Sequence, residues 1–315
     1  MRVIDRDEVA RRLTHARGIE LVREAMIALA RGRSAQLLRG ILDLGGGDAF
    51  GVMPGALEGA GFGAKIVSVF PKAAVDAGRS HQGVIVLFDR DSGAPVCVVD
   101  AGEVTAIRTA CASAVATDAL ARGDATSLAI LGTGEQAWHH ALALRHVRPL
   151  SRVAVWGRDA GKARELAERV SVELRIPARA CATACEATGD ADIVCTLTAA
   201  GEPILQFDDV AAGCHVNAVG SSRAAPVEID PRFVARARFI PDHREGVLAQ
   251  GAEFLRAKER GLASDEDVGP EIGRILAGDA PGRADAGEIT VYKSLGSIVQ
   301  DLACAAWLRE AVAGA

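Results

Sequence analysis

Residues Ser127–Arg158 read SLAILGTGEQAWHHALALRHVRPLSRVAVWGR. An apolar run, Leu128 to Leu131, leads into Gly132-Thr133-Gly134-Glu135-Gln136-Ala137. A helix-forming segment follows, and a second apolar run, Val153 to Trp156, closes the stretch. This is the strand, glycine turn, helix and strand of a dinucleotide-binding βαβ unit. Each small residue has a physical task. Gly132 permits the tight turn, Gly134 lets the backbone approach a pyrophosphate, and Ala137 lets the helix pack closely on the strand. The N–H groups that open the helix, and its dipole, favour the phosphate charge. Glycine turns of this kind also occur without a ligand; the flanking elements give this one its meaning.

The strand that closes the unit also bears on which cofactor is bound. About 20 residues past the turn, an NAD enzyme usually carries Asp or Glu on the ribose 2′-hydroxyl. Here Gly157 takes that place and Arg158 follows, where a guanidinium can hold a 2′-phosphate bidentately. NADP(H) is therefore favoured. NAD(H) stays open if Asp159 bonds the ribose and Arg158 is a solvated surface residue.

Outward from this unit, alternating elements predict a doubly wound parallel sheet: a helix over 162–170, then strands at 192–198, 215–219 and 237–240. Residues 243–288 read as helical with glycine breaks. Upstream, residues 1–33 read as helices, with Asp5 or Asp7 as a first cap. Extended runs follow at 37–42 and 50–53 around Gly45-Gly46-Gly47-Asp48, then at 64–70, 84–88 and 96–99, which predicts a largely antiparallel sheet. A helix spans 103–121, and an amphipathic helix at 297–312 is expected to return to the N-terminal domain. The expected architecture is α/β: residues 1–122 with 290–315 form an α+β substrate-binding and dimerisation domain, and 123–289 form the Rossmann domain.

At 315 residues with 49% apolar side chains, the chain can bury two cores. The net charge of -5 and the lack of basic runs among aromatics argue against nucleic acid. No apolar run approaches the ~18 residues of a membrane span, and the charged start, MRVIDRDEVARRL, is unlike a signal peptide, so a cytoplasmic protein is expected. Seven cysteines with no CxxC read as buried reduced thiols, Cys181 and Cys185 included, and not as a metal site. His139 and His140, adjacent on a helix, point in different directions and do not suggest a shared metal.

Three cations have unusual neighbours: Arg39 in an apolar strand, Lys65 in GFGAKIVSVFP, and Arg108 in TAIRTACASAVA. One such residue alone is most simply a snorkelling or salt-bridged structural group. Three converging next to a dinucleotide domain suggest a site for a carboxylate.

With LLRGILDL, FGVMPG, GAKIVSVFP, SHQGVIVLFD, TAIRTACASAVAT, LAILGTGEQA, HVNAVGSS and ITVYKSLGSIVQD, the chain resembles the ornithine cyclodeaminase and mu-crystallin family over almost its whole length. The resemblance implies a homodimer joined through N-terminal sheets and a substrate site in the cleft between domains. It implies that Arg39, Lys65 and Arg108 take the places of the substrate-carboxylate and catalytic residues. Thr196 and Thr198, with Val219 and Gly220, match the part lining the nicotinamide and its ribose. Lys293 and Ser294 fall in a loop like the family's cofactor-contacting segment.

One departure separates activities within the family. Cyclodeaminases and related alanine dehydrogenases carry an aspartate two residues after the glycine of VGxD, and here that position is Ser222. A serine cannot hold charge or shuttle a proton near neutral pH as a carboxylate does. The GSSR sequence is nearer the ketimine reductase side, where one hydride passes to a C=N carbon beside a carboxylate. The expected substrate is a small 2-imino acid such as Δ1-pyrroline-2-carboxylate, with Lys65 and Arg108 catalytic and Arg39 and Ser222 also contacting substrate. No proton donor to the imine nitrogen stands out, Ser222 and His81 being the candidates. Glu228 and Asp230 are expected to be structural caps. The rival readings are a cyclodeaminase with bound NAD, an amino-acid or opine dehydrogenase, and a non-catalytic NADPH- and ligand-binding protein.

Overall fold

A computed structural model of the chain describes residues 1–70, 81–220 and 226–314. Two compact units are present: Met1–Arg108 with Ser297–Ala315, and Thr109–Gly296.

The first unit begins with a strand, β1 (Arg2–Ile4), where only helices were expected. Asp5 then caps α1 (Arg6–Arg12) by accepting from Glu8 N, and Thr14 caps α2 (His15–Ala30) by accepting from Arg17 N. Next come β2 (Ser34–Gln36), β3 (Gly40–Gly45), β4 (Asp48–Leu57), β5 (Gly61–Val69), β6 (His81–Phe88) and β7 (Pro95–Asp100). The sheet order is β1-β7-β6-β5-β4-β2, and β3 also pairs with β4. The predicted hairpin is present, with Gly45 opposite Asp48. All pairs are antiparallel except β1 with β7, which run parallel. Three residues are too few to show an alternation in sequence, which is why β1 escapes a pattern reading.

The alanine-rich helix α3 (Ala101–Leu120) carries the chain from the first unit into the second. The segment Ser297–Ala315 belongs to the first unit, and most of it is a helix that packs over β4, β5 and β6 and against α2. That helix runs Ile298–Ala313, with Ser297 accepting from Val299 N at its start. It is not the amphipathic element expected. Ile298 to Leu302 are all buried, so its first turns have no solvent face.

The second unit opens with β8 (Ser127–Leu131), α4 (Glu135–Leu144), β9 (Arg152–Trp156) and α5 (Ala160–Arg169). It continues through β10 (Ala178–Ala180), α6 (Ala184–Thr188), β11 (Ile193–Thr196), β12 (His215–Ala218), α7 (Arg232–Arg236) and β13 (Arg238–Pro241). The helices α8 (Arg244–Gln250), α9 (Ala252–Glu259) and α10 (Ile272–Leu276) precede β14 (Thr290–Lys293). The Ile298–Ala313 helix, last in the chain, is α11. The sheet order is β10-β9-β8-β11-β12-β14-β13 with every pair parallel. The chain moves outward from β8 through β9 and β10, then returns to β11 on the other side of β8. That reversal is the switch point at which open α/β sheets bind ligands. Thr290–Lys293, placed by sequence at the start of the returning segment, is an interior strand of this sheet.

Candidate active site

In the second unit, the glycine turn sits at the carboxyl end of β8, against the segment that follows β11. Gly132 has φ +134, and a Cβ there would lie 2.6 Å from the Leu197 carbonyl oxygen, so geometry and space both require glycine. Ala137 is buried, as its packing role demands. Gly134 is different. Its φ is ordinary for any residue and its Cβ position is open, so nothing within the chain calls for glycine. It is the N-cap of α4, and no side chain caps that helix, which leaves the first-turn N–H groups available to an anion.

Gly157 has a steric reason: a Cβ would meet Thr133 Cγ2 at 2.6 Å. A larger side chain at this position would require Thr133 to shift. Arg158 is exposed and makes no hydrogen bond or ion pair among the described residues. Asp159 is committed to α5, accepting from Gly161 N at 2.8 Å and Lys162 N at 3.2 Å, which holds its carboxyl below the usual range. The ribose-binding role left open for Asp159 therefore competes with a cap. Glu135 lies exposed in the first turn of α4, and Gln136 is half-buried with Oε1 lacking a hydrogen bond. His140 is buried, 2.9 Å from Ser113 Oγ and 2.7 Å from the Gln136 carbonyl.

The carboxyl ends of β11 and β12 are tied together by Glu228. This fully buried carboxylate accepts from Thr196 Oγ1 (2.8 Å), Thr198 N (2.6 Å), Thr198 Oγ1 (2.7 Å) and Gly220 N (2.6 Å). Burial pushes its carboxyl above the usual range, while the donors and Lys293 oppose that shift. Thr196 is itself fully buried, so its hydroxyl serves Glu228 and is not open to a ligand; Thr198 and Gly220 remain half-exposed and Val219 is buried. Asp230 accepts from Arg232 N and Nε, while Pro231, and not Asp230, is the N-cap of α7, so the cap role expected of Asp230 is not the one it has. Lys293 and Ser294 are not in an open loop. Lys293 ends β14, fully buried, with Nζ 2.7 Å from Glu253, and Ser294 is buried after it. Sequence missed Glu253 and the linking role of Glu228, because each lies far in the chain from the strands it serves.

In the first unit, Lys65 on β5 and Arg108 on α3 are both buried. Across the sheet, Lys65 stands between Met53 and Ile85. Arg39 is not in a strand; it lies half-buried just before β3. The group that gathers these cations is one that sequence reasoning missed, Asp301 on α11. Its Oδ1 lies 3.4 Å from Lys65 Nζ and 3.2 Å from Arg108 Nε, and Arg108 Nη1 donates to Gln300 Oε1 at 3.0 Å. Burial lowers the Lys65 ammonium to about 8; Asp301 opposes that fall, and Arg108 and Arg39 add to it. Gln300 and Asp301, two adjacent polar residues in an apolar run, were the available signal, and they point to no particular partner. Ser222 and the side chain of His81 lie outside the described residues.

Among the described residues the cysteines form no disulfide, and Cys185 is exposed, unlike the buried thiol expected. No three His, Cys, Asp or Glu side chains among them are placed to hold a metal. No described helix is long and apolar enough to cross a membrane.

A parallel doubly wound sheet with a glycine turn at its switch point, joined to an α+β unit holding buried cations, defines a dinucleotide-binding α/β protein. The chain belongs to the ornithine cyclodeaminase/mu-crystallin family, whose sequence pattern matches residues 2–315. It is 34% identical over 261 residues to the Delta(1)-pyrroline-2-carboxylate reductase of Bacillus cereus, covering 82% of this chain and 80% of that protein. To the ketimine reductase mu-crystallin of Mus musculus it is 35% identical over 241 residues, covering 76% and 73%. Its fold matches Thermococcus litoralis Delta(1)-pyrroline-2-carboxylate reductase in complex with NADH and L-proline, with a TM-score of 0.96 and 29% identity, over 100% of this chain and 98% of that one.

Proposed function

We propose that the chain reduces the C=N carbon of a small cyclic 2-imino acid with a nicotinamide dinucleotide, NADPH in preference to NADH. The substrates it suits are Δ1-pyrroline-2-carboxylate and Δ1-piperideine-2-carboxylate, giving L-proline and L-pipecolate. The observation that carries this reading is that two buried cations, Lys65 and Arg108, share a single carboxylate oxygen of Asp301. Positive charge buried in excess of its partner suits an anionic ligand. The charge of Arg39, which helps to lower the Lys65 ammonium, supports the same reading. In this reading Arg39 and Arg108 clamp the carboxylate beside the imine, and Lys65 completes the set. The imine-reducing relatives support the reaction class.

The residues present fit the cofactor: Gly134 is open where a pyrophosphate would lie, and α4 begins without a side-chain cap. NADPH, when bound, supplies the hydride. Preference for its 2′-phosphate is supported by Gly157, which stands where an NAD enzyme usually has an acid, and by the unclaimed guanidinium of Arg158. Ser222 in place of the cyclodeaminase aspartate supports reduction over ammonia release. Assembly as a homodimer in the cytoplasm is part of the same reading, supported by the exposed Ile41, Leu42 and Leu44 on β3.

The test is a pair of assays on one preparation. NADPH absorbance at 340 nm should fall when either cyclic imino acid is added, and ornithine should release no ammonia. Ammonia from ornithine with no net change in nicotinamide, and no turnover of any cyclic imino acid, would make the chain a cyclodeaminase.

A further inference from the structure

Asp301 lies among Ile298, Val299, Leu302, Cys304 and Ala305, all buried on α11. The packing of this helix does not call for an acid. A buried carboxylate carries a desolvation cost that an apolar side chain of similar size avoids. Its Oδ1 is shared by Lys65 Nζ and Arg108 Nε, and its Oδ2, also buried, makes no hydrogen bond among the described residues. The neighbouring Gln300 takes Arg108 Nη1, so α11 holds one edge of the guanidinium with two consecutive side chains. Arg108 Nη2 keeps no hydrogen bond among the described residues.

We propose that Asp301 is a positioning residue: it holds the Lys65 ammonium and one edge of the Arg108 guanidinium, so that their remaining donors face the substrate's carboxylate. This rests on the reading that the cluster receives that carboxylate. Without Asp301, two buried cations would repel each other before substrate arrives. The same carboxylate keeps Lys65 charged at a higher pH than burial beside two guanidiniums alone would allow. The charged groups facing Lys65 are Asp301 on α11, Arg108 on α3 and Arg39 before β3. Its cross-strand neighbours Met53 and Ile85 are apolar, and Cys304, one turn past Asp301, stays a thiol because burial pushes it up to about 12.

The chain's five lysines (Lys65, Lys72, Lys162, Lys258 and Lys293) allow a direct test by carbon NMR of ε-labelled lysine in the whole protein without substrate. Loss of one resonance in Lys65→Arg assigns it. In the parent protein Lys65 should titrate near 8, and in Asp301→Asn its midpoint should fall by about one pH unit or more. Asp301→Glu should keep the midpoint within a few tenths of a unit, and if the asparagine variant does not fold, Asp301→Ser should lower the midpoint in its place. With imino acid, Asp301→Asn should lower kcat/KM about 10²-fold, recovered in part by glutamate. A Lys65 midpoint unmoved in Asp301→Asn, or displaced equally in Asp301→Glu, would overturn the proposal. The titration needs no turnover, so a missing reductase activity would count against the function and leave the Asp301 result standing.

Discussion

Burial in β5 lowers the Lys65 ammonium from the usual 10.5 to about 8, because it penalises the charge more than Asp301 restores it. In the proposed site, carboxylate binding should be strongest with Lys65 protonated and should weaken as pH rises through about 8. Inhibition by a planar carboxylate without a titrating nitrogen, such as furan-2-carboxylate, should be constant from pH 6 to 7.5 and weaken roughly tenfold per unit above 8. A flat inhibition constant up to pH 10 would separate Lys65 from carboxylate binding. Arg108→Ala should lower kcat/KM for the imino acid about 10²-fold or more, and an unchanged value would remove the clamp. Arg158→Ala addresses the other ligand. It should raise KM for NADPH about tenfold with KM for NADH unaltered; equal effects on both cofactors would assign Arg158 to the surface.

Elements decide which of these side chains can be recognised in a sequence. The β8–α4–β9 unit was legible because its apolar runs, glycine turn and helix are local and periodic, and Gly132 is required by its φ of +134 and its contact with the Leu197 carbonyl. Lys65 and Arg108 were legible as cations in apolar surroundings, but what gathers them was not. Asp301 is 193 residues from Arg108 in the chain, and no local pattern marks it as their partner. Glu228 is a similar case, 32 residues from Thr196, yet it sets the ends of β11 and β12. Replacing Glu228 by Gln puts an amide donor among four existing donors. It should cost about 2–4 kcal/mol in urea unfolding and weaken cofactor binding, and wild-type values of both would show that the ends of these strands hold without it. Lys293 shows the opposite error. Its resemblance to part of a family loop hid that it ends a short strand, Thr290–Lys293, buried between β12 and β13.

For the whole molecule, composition and the order of elements were enough to expect an α/β chain with one parallel and one largely antiparallel sheet, and both are present. The exposed apolar residues of β3 are a liability for a lone chain and a natural surface for a second copy. Sedimentation should give twice the 32.7 kDa chain mass, and Leu42→Glu with Leu44→Glu should shift it toward the monomer; a wild-type monomer would contradict the dimer. The proposed reaction passes hydride from the nicotinamide dinucleotide to the imine carbon of a small 2-imino acid. Incubation with Δ1-pyrroline-2-carboxylate and NADPH deuterated at both C4 positions, followed by mass spectrometry, tests it most directly. The account predicts L-proline carrying one deuterium at Cα; proline without deuterium, or none formed while NADPH stays bound, would contradict it.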